Sequence, residues 1–178
     1  CGGVLTAHKS IAMPGCSINN PTLTEADLRN LAVAKQYKVT DVMLPFVRNK
    51  ADLIILREAL REYGCEDIRI FAKIENMTGV EHLEELIPYC DYIVIARGDL
   101  GNAMPLSQLP RIQAHIARVC RKHNKDFMIV TQMLDSMIKN PYPTRAEVND
   151  IYHAVTQGAS TLMLTGETAH GRYPVEAM

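Results

Sequence analysis

The chain has 178 residues, 47% of them hydrophobic and 22% charged, with no Trp. That is enough for one domain with a real core, and the composition is ordinary for a soluble α/β protein. A formal net charge of −1 gives no reason to expect non-specific binding to nucleic acid or to a membrane surface. No long run of like charges and no apolar stretch of bilayer-spanning length occurs. The five cysteines (Cys1, Cys16, Cys65, Cys90 and Cys120) are odd in number and widely spaced, with no CxxC pair and no zinc-like Cys/His spacing. Reduced thiols in a cytoplasmic protein are therefore expected. The chain starts Cys1-Gly2-Gly3 without an initiator Met or a signal-peptide pattern, and stops at Met178 inside what reads as a new helix. Both ends are expected to be cuts through a longer protein.

In chain order, Cys1 to Pro21 is rich in Gly, Pro, Ser and Asn and reads as loop or short strands, with Val4-Leu5-Thr6 as a strand tail. A helix is expected from Thr24, its N-cap, with Asp27 three residues on and Leu28, Leu31, Ala32 and Ala34 on its apolar side. Asp41 to Val47 reads as a strand with Pro45 near its end. Lys50 to Tyr63 is an amphipathic helix with Leu53, Leu56 and Leu60 on one face, stopped by Gly64. Ile68 to Ile74 is a second strand, Gly79 to Ile87 a helix ended by Pro88, and Tyr92 to Ala96 a third strand. Leu106 to His123 is a long helix turning Ile112, Ile116, Val119 and Cys120 inward. Phe127 to Thr131 is a fourth strand. Thr144, with Glu147 three residues later, opens a helix that runs to Gln157 and ends at Gly158. Ser160 to Leu164 is a fifth strand, and Tyr173-Pro174-Val175-Glu176 opens a last helix.

Short, nearly unbroken apolar strands alternating with helices predict a parallel sheet buried on both faces. Periodicity leaves open a doubly wound sheet or part of an eight-stranded barrel. The placement of the polar residues favours the barrel. Lys73 and Glu75 stand at the end of the second strand, Arg97 and Asp99 at the end of the third, Thr131 and Gln132 of the fourth, and Thr165 and Glu167 of the last. Active sites drawn from several strand ends are the habit of β/α barrels.

Glu75 and Asp99 are hard oxygen donors of the kind that hold Mg²⁺ or Mn²⁺ with positions left for substrate. The same carboxylates could equally form salt bridges with Lys73 and Arg97. Lys73 lies two residues before Glu75, on the same face of an extended segment. There an ammonium can neutralise a transferring phosphoryl group or a developing enolate. Gly98 lets backbone N–H groups approach an anion, the more so if Asp99 begins a short helix. Thr131 could hydrogen-bond a carboxylate, and Met133, Met137 and Met163 read as core filler.

These residues carry a resemblance. Lys73-Ile74-Glu75-Asn76, Ala96-Arg97-Gly98-Asp99-Leu100-Gly101, Thr131-Gln132-Met133-Leu134, Pro143-Thr144-Arg145-Ala146-Glu147 and Gly166-Glu167-Thr168-Ala169 stand in the order and spacing of the pyruvate kinase family. The match runs from Gly2-Gly3 to Tyr173-Pro174. It implies transfer of a phosphoryl group from phosphoenolpyruvate to ADP, giving pyruvate and ATP at the last step of glycolysis, through an enolate. It also implies part of a TIM (β/α)₈ barrel, strands 4 to 8. Residues 1–13 would end the inserted lid domain and residues 14–178 belong to the catalytic domain, the C-terminal regulatory domain being absent. By the same resemblance Lys73 and Thr165 are catalytic residues, Glu75 and Asp99 the Mg²⁺ (or Mn²⁺) ligands, and Ala96, Arg97, Gly98, Asp99 and Thr131 the substrate-binding set. K⁺ is implied for the parent, with ligands outside this chain, as is a cytoplasmic homotetramer. The chain alone is expected to be incomplete for catalysis. The alternatives are a Mg²⁺-dependent lyase or aldolase on a related barrel and a non-catalytic truncated product. Four positions depart from the family pattern: Thr165 and Pro45 stand where Ser is usual, and Met77-Thr78 where His-Glu is common. Pro45 supplies neither a hydroxyl nor an N–H.

Overall fold

The computed structural model describes residues 20–178. The expectations for Val4-Leu5-Thr6, the lid boundary, Cys1 and Cys16 lie outside them. Five strands, β1 (Asp41–Leu44), β2 (Arg69–Ile74), β3 (Tyr92–Ala96), β4 (Phe127–Val130) and β5 (Thr161–Met163), form one parallel sheet in the order β1-β2-β3-β4-β5. A doubly wound sheet reverses its strand order at a switch point. This one advances by one neighbour at each crossover, as consecutive strands of a barrel do.

The helices lie between the strands. α1 (Glu25–Ala34) starts at a complete capping box, Thr24 with Asp27. α2 (Lys50–Glu62) is capped by Asn49 and buries Leu53, Leu56, Ala59 and Leu60. Each of its buried leucines contributes about 1.5–3 kcal/mol of apolar burial. The helix expected from Gly79 to Ile87 is broken. It runs as α3 (Met77–Glu81) and α4 (Leu83–Leu86), parted at His82, whose φ of −93° and ψ of 9° leave the helical region, and ends in a 3₁₀ turn, Ile87–Tyr89, containing Pro88. α5 (Arg97–Asn102) follows β3 with no intervening loop. The long helix expected from Leu106 is a 3₁₀ turn, Leu106–Gln108, and then α6 (Leu109–Lys122), with Pro110 in its first turn, where a missing N–H costs nothing. α7 (Arg145–Thr156) has the second complete capping box, Thr144 with Glu147, and α8 (Gly166–Ala169) and α9 (Pro174–Ala177) close the chain.

Alternate strand residues serve two faces. Ile70, Ala72, Ile74, Ile93, Ile95, Phe127 and Ile129 join the helices in the main core. Val94, Ala96, Met128 and Val130, with Phe71, Tyr92 and Met163 packed against them, make the opposite face. Phe71 and Tyr92 stack there at 4.5 Å. Lys73 shares the parity of Phe71 and so belongs to this second face, the one a closed barrel turns inward. Among the described residues no helix is long and apolar enough to cross a membrane.

Candidate active site

β1 stops at Leu44, earlier than its apolar run, because Pro45 cannot donate to a ladder. The chain turns there, and Phe46 takes a positive φ of 51°. The turn sends the Phe46 N–H to Glu75 Oε2 at 2.8 Å. Val47 N–H then donates to the Lys73 carbonyl at 3.3 Å, and Asn76 Nδ2 to the Val47 carbonyl at 3.2 Å. The end of β1 is thus laced to the end of β2. Pro45 lacks the expected hydroxyl, but its neighbour's N–H reaches the carboxylate beside Lys73.

Lys73 Nζ pairs with Glu75 Oε1 at 2.6 Å, the lysine partly exposed and the glutamate side chain buried. Both Glu75 oxygens are therefore held, one by a cation and one by a backbone donor. By strand register Lys73 lies beside Val94, and Ala96 beside Val130. The ends of β2, β3 and β4 are consequently level. α5 begins at that level with Ala96 as N-cap, and no side chain caps its first N–H groups. Asp99 stands exposed in its first turn and forms no ion pair among the described residues. The salt-bridge alternative thus holds for Glu75 with Lys73 but not for Asp99 with Arg97.

The Arg97 guanidinium points elsewhere. Nε and Nη2 donate to the Thr131 carbonyl at 3.1 and 2.7 Å, Nη2 to the Gln132 carbonyl at 3.2 Å, and Nη1 pairs with Asp150 on α7 at 2.6 Å. Thr131 and Gln132 both have positive φ, 82° and 55°. Their turn lays the Thr131 side chain on Gly98, where an added Cβ would stand 3.1 Å from Thr131 Cγ2. Gly98 thus lets the two segments approach closely, and a larger residue there would make the Thr131 side chain shift by a few tenths of an ångström.

At the end of β5, Thr165 N–H and Oγ1 bond Glu167 Oε2 at 2.8 and 3.3 Å, while Glu167 Oε1 accepts from Leu134 N–H at 3.0 Å. Glu167 is 1% exposed. Burial by itself would raise its carboxyl pKa. The backbone donors of Glu167, Leu134 and Thr165, with the Thr165 hydroxyl, outweigh burial and hold it below the ordinary carboxylate value. Glu167 therefore ties β4's exit to β5's exit. Its sequence signal is an acid two residues beyond a strand-end polar group, the spacing of Lys73 to Glu75. Asp150 gave no comparable signal, being one more acid on a helix, and the Phe46 N–H belongs to the backbone.

No group of three or more His, Cys, Asp or Glu side chains suited to a metal occurs among the described residues. Cys65, Cys90 and Cys120 are free and buried. Burial pushes the Cys90 thiol up to about 11 and Cys120 to about 12, which leaves neither as a nucleophile near neutral pH.

Fold and site together define part of a β/α barrel with its polar residues gathered at the carboxyl ends of the strands. The family model "Pyruvate kinase, barrel domain" matches residues 1–178, and the chain belongs to that family. It is 41% identical to the pyruvate kinase of Clostridium acetobutylicum over 99% of this chain and 37% of that protein. It is 40% identical to the pyruvate kinase of Bacillus licheniformis, over 99% of this chain and 30% of that protein. The pyruvate kinase of Candida albicans is also 40% identical, over 99% of this chain and 35% of that protein. The chain thus spans about a third of the length of these relatives.

Proposed function

We propose that the complete protein carrying this chain transfers the phosphoryl group of phosphoenolpyruvate to ADP, giving pyruvate and ATP. The observation that carries this reading is the Lys73–Glu75 pair on the inward sheet face, level with the start of α5 and the Thr131 turn. In this reading the Lys73 ammonium stabilises the transferring phosphoryl group and the enolate left behind. The uncapped N–H groups between Ala96 and Asp99, with Gly98 giving close access and Thr131 adding its hydroxyl, hold the substrate carboxylate. Arg97 belongs to that segment through its backbone. The Thr165 hydroxyl serves proton delivery to the enolate.

Glu75 and Asp99 fit Mg²⁺ or Mn²⁺. One is buried and oriented by Phe46 N–H and Lys73, the other is exposed and unpaired among the described residues, and both offer hard oxygens. Such a cation, when bound, neutralises charge on the reacting oxygens. K⁺, a homotetramer and a cytoplasmic setting complete the reading for the parent enzyme.

The test is pyruvate formation by the complete protein, followed with and without ADP and a divalent cation. The expected result is dependence on both, with turnover abolished in folded Glu75→Gln and Asp99→Asn variants. Unchanged turnover in both variants would overturn the metal assignment, and no pyruvate from the unmodified protein would overturn the reaction.

A further inference from the structure

We propose that Arg97 is a positioning residue, whose guanidinium holds Thr131 and Gln132 in the left-handed turn that presses the Thr131 side chain onto Gly98. The inference deepens the reading above, since it rests on Thr131 binding substrate. A β-branched residue at a φ of 82° is an outlier, and a second non-glycine residue beside it at 55° is uncommon. Such conformations persist only where the surroundings over-determine them. Here the determinant is visible. The side chain of Arg97 is 11% exposed, its Nε and Nη2 donate to the Thr131 and Gln132 carbonyls, and Asp150 holds the far side of the fork. A planar guanidinium can span two carbonyls and a carboxylate at fixed angles, whereas a lysine ammonium is a point charge without that geometry. With the guanidinium spent on the turn, Arg97 contributes to the site through Thr131 rather than by touching substrate with its side chain.

The experiment uses the complete protein and three variants, Arg97→Lys, Gln132→Gly and the double variant. Glycine enters the left-handed region without steric cost, so Gln132→Gly lowers what the clamp must hold. Arg97→Lys is expected to lower kcat roughly tenfold to hundredfold, as misplacement of a binding group by about an ångström does. The KM for ADP is expected to stay near its original value. Adding Gln132→Gly to Arg97→Lys is expected to restore several-fold of the lost kcat and part of the lost melting temperature. A merely structural arginine would give no such site-specific recovery. Near-normal kcat in Arg97→Lys, or no recovery in a folded double variant, overturns the proposal. Should the unmodified protein make no pyruvate, the reaction has failed and not the clamp. The melting temperatures alone then decide: recovery in the double variant supports the clamp and its absence overturns it.

Discussion

Glu167 shows how one buried carboxylate organises two strand exits. It has three donors from Leu134 and Thr165 and almost no solvent. Because its folded pKa lies below its ordinary value of 4.5, its stabilisation is fully present above that value and is lost as pH falls through the depressed folded value. Glu167→Gln keeps the size and loses the charge. It is expected to cost about 1.5–3 kcal/mol near neutral pH, the range for hydrogen bonds to a charged group. The gap in melting temperature between parent and variant should close as the solution is acidified below pH 4.5. A gap that persists unchanged to low pH would contradict the assignment. At this scale the sequence named the acidic and basic residues of the strand ends but not their partners. Lys73 and Glu75 were legible as a pair because a spacing of two on a strand puts both on one face. The Phe46 N–H and Asp150 were not, because they come from elements 29 and 53 positions away in the chain.

Elements were legible wherever a local cause starts or stops them. The capping boxes at Thr24 and Thr144 begin α1 and α7 where the capping pattern put them. Glu147 does more than cap: it also accepts from Ser136 N–H and Oγ at 2.7 and 2.6 Å, which anchors the 3₁₀ turn Asp135–Ile138. Boundaries that tertiary contact decides were less visible. The break at His82 has no proline or glycine to announce it, and α5 begins at Arg97 directly on the strand's end. Gly79 is another such case. An added Cβ there would stand 2.5 Å from the Val47 carbonyl, the atom that also accepts from Asn76. Gly79→Ala must therefore push α3 away from the loop after β1, at about 1–3 kcal/mol. A domain of this size loses about 2–4 °C of melting temperature per kcal/mol. An unaltered melting temperature would show that the loop yields freely.

The molecule as a whole presents a sheet whose outer strands, β1 and β5, each have one strand neighbour among the described residues. Phe71, Tyr92 and Met163 on its inward face are only partly covered. Unpaired edges and an uncovered apolar face favour association with other chains. Residues 1–178 produced alone are expected to self-associate, with an apparent mass by light scattering that rises with concentration. A stable monomer at all concentrations would mean that the edges are covered within the chain. The parallel sheet and its barrel-like order were foreseeable, because buried parallel strands leave a plain apolar signature and because the polar residues recur at strand ends. The closeness of Thr131 to Gly98 was not, since it depends on a backbone turn that no residue type encodes.

In the proposed reading the ends of β2 and β3 make one cation site with Lys73 beside it. Binding of Mn²⁺ to the complete protein, followed by the electron paramagnetic resonance of the free ion, tests this most directly. The expected result is a site lost in both Glu75→Gln and Asp99→Asn but kept in Lys73→Met, which binds the ion and fails to turn over. Wild-type affinity in either carboxylate variant would contradict the claim, because the two strand ends would then not share a cation.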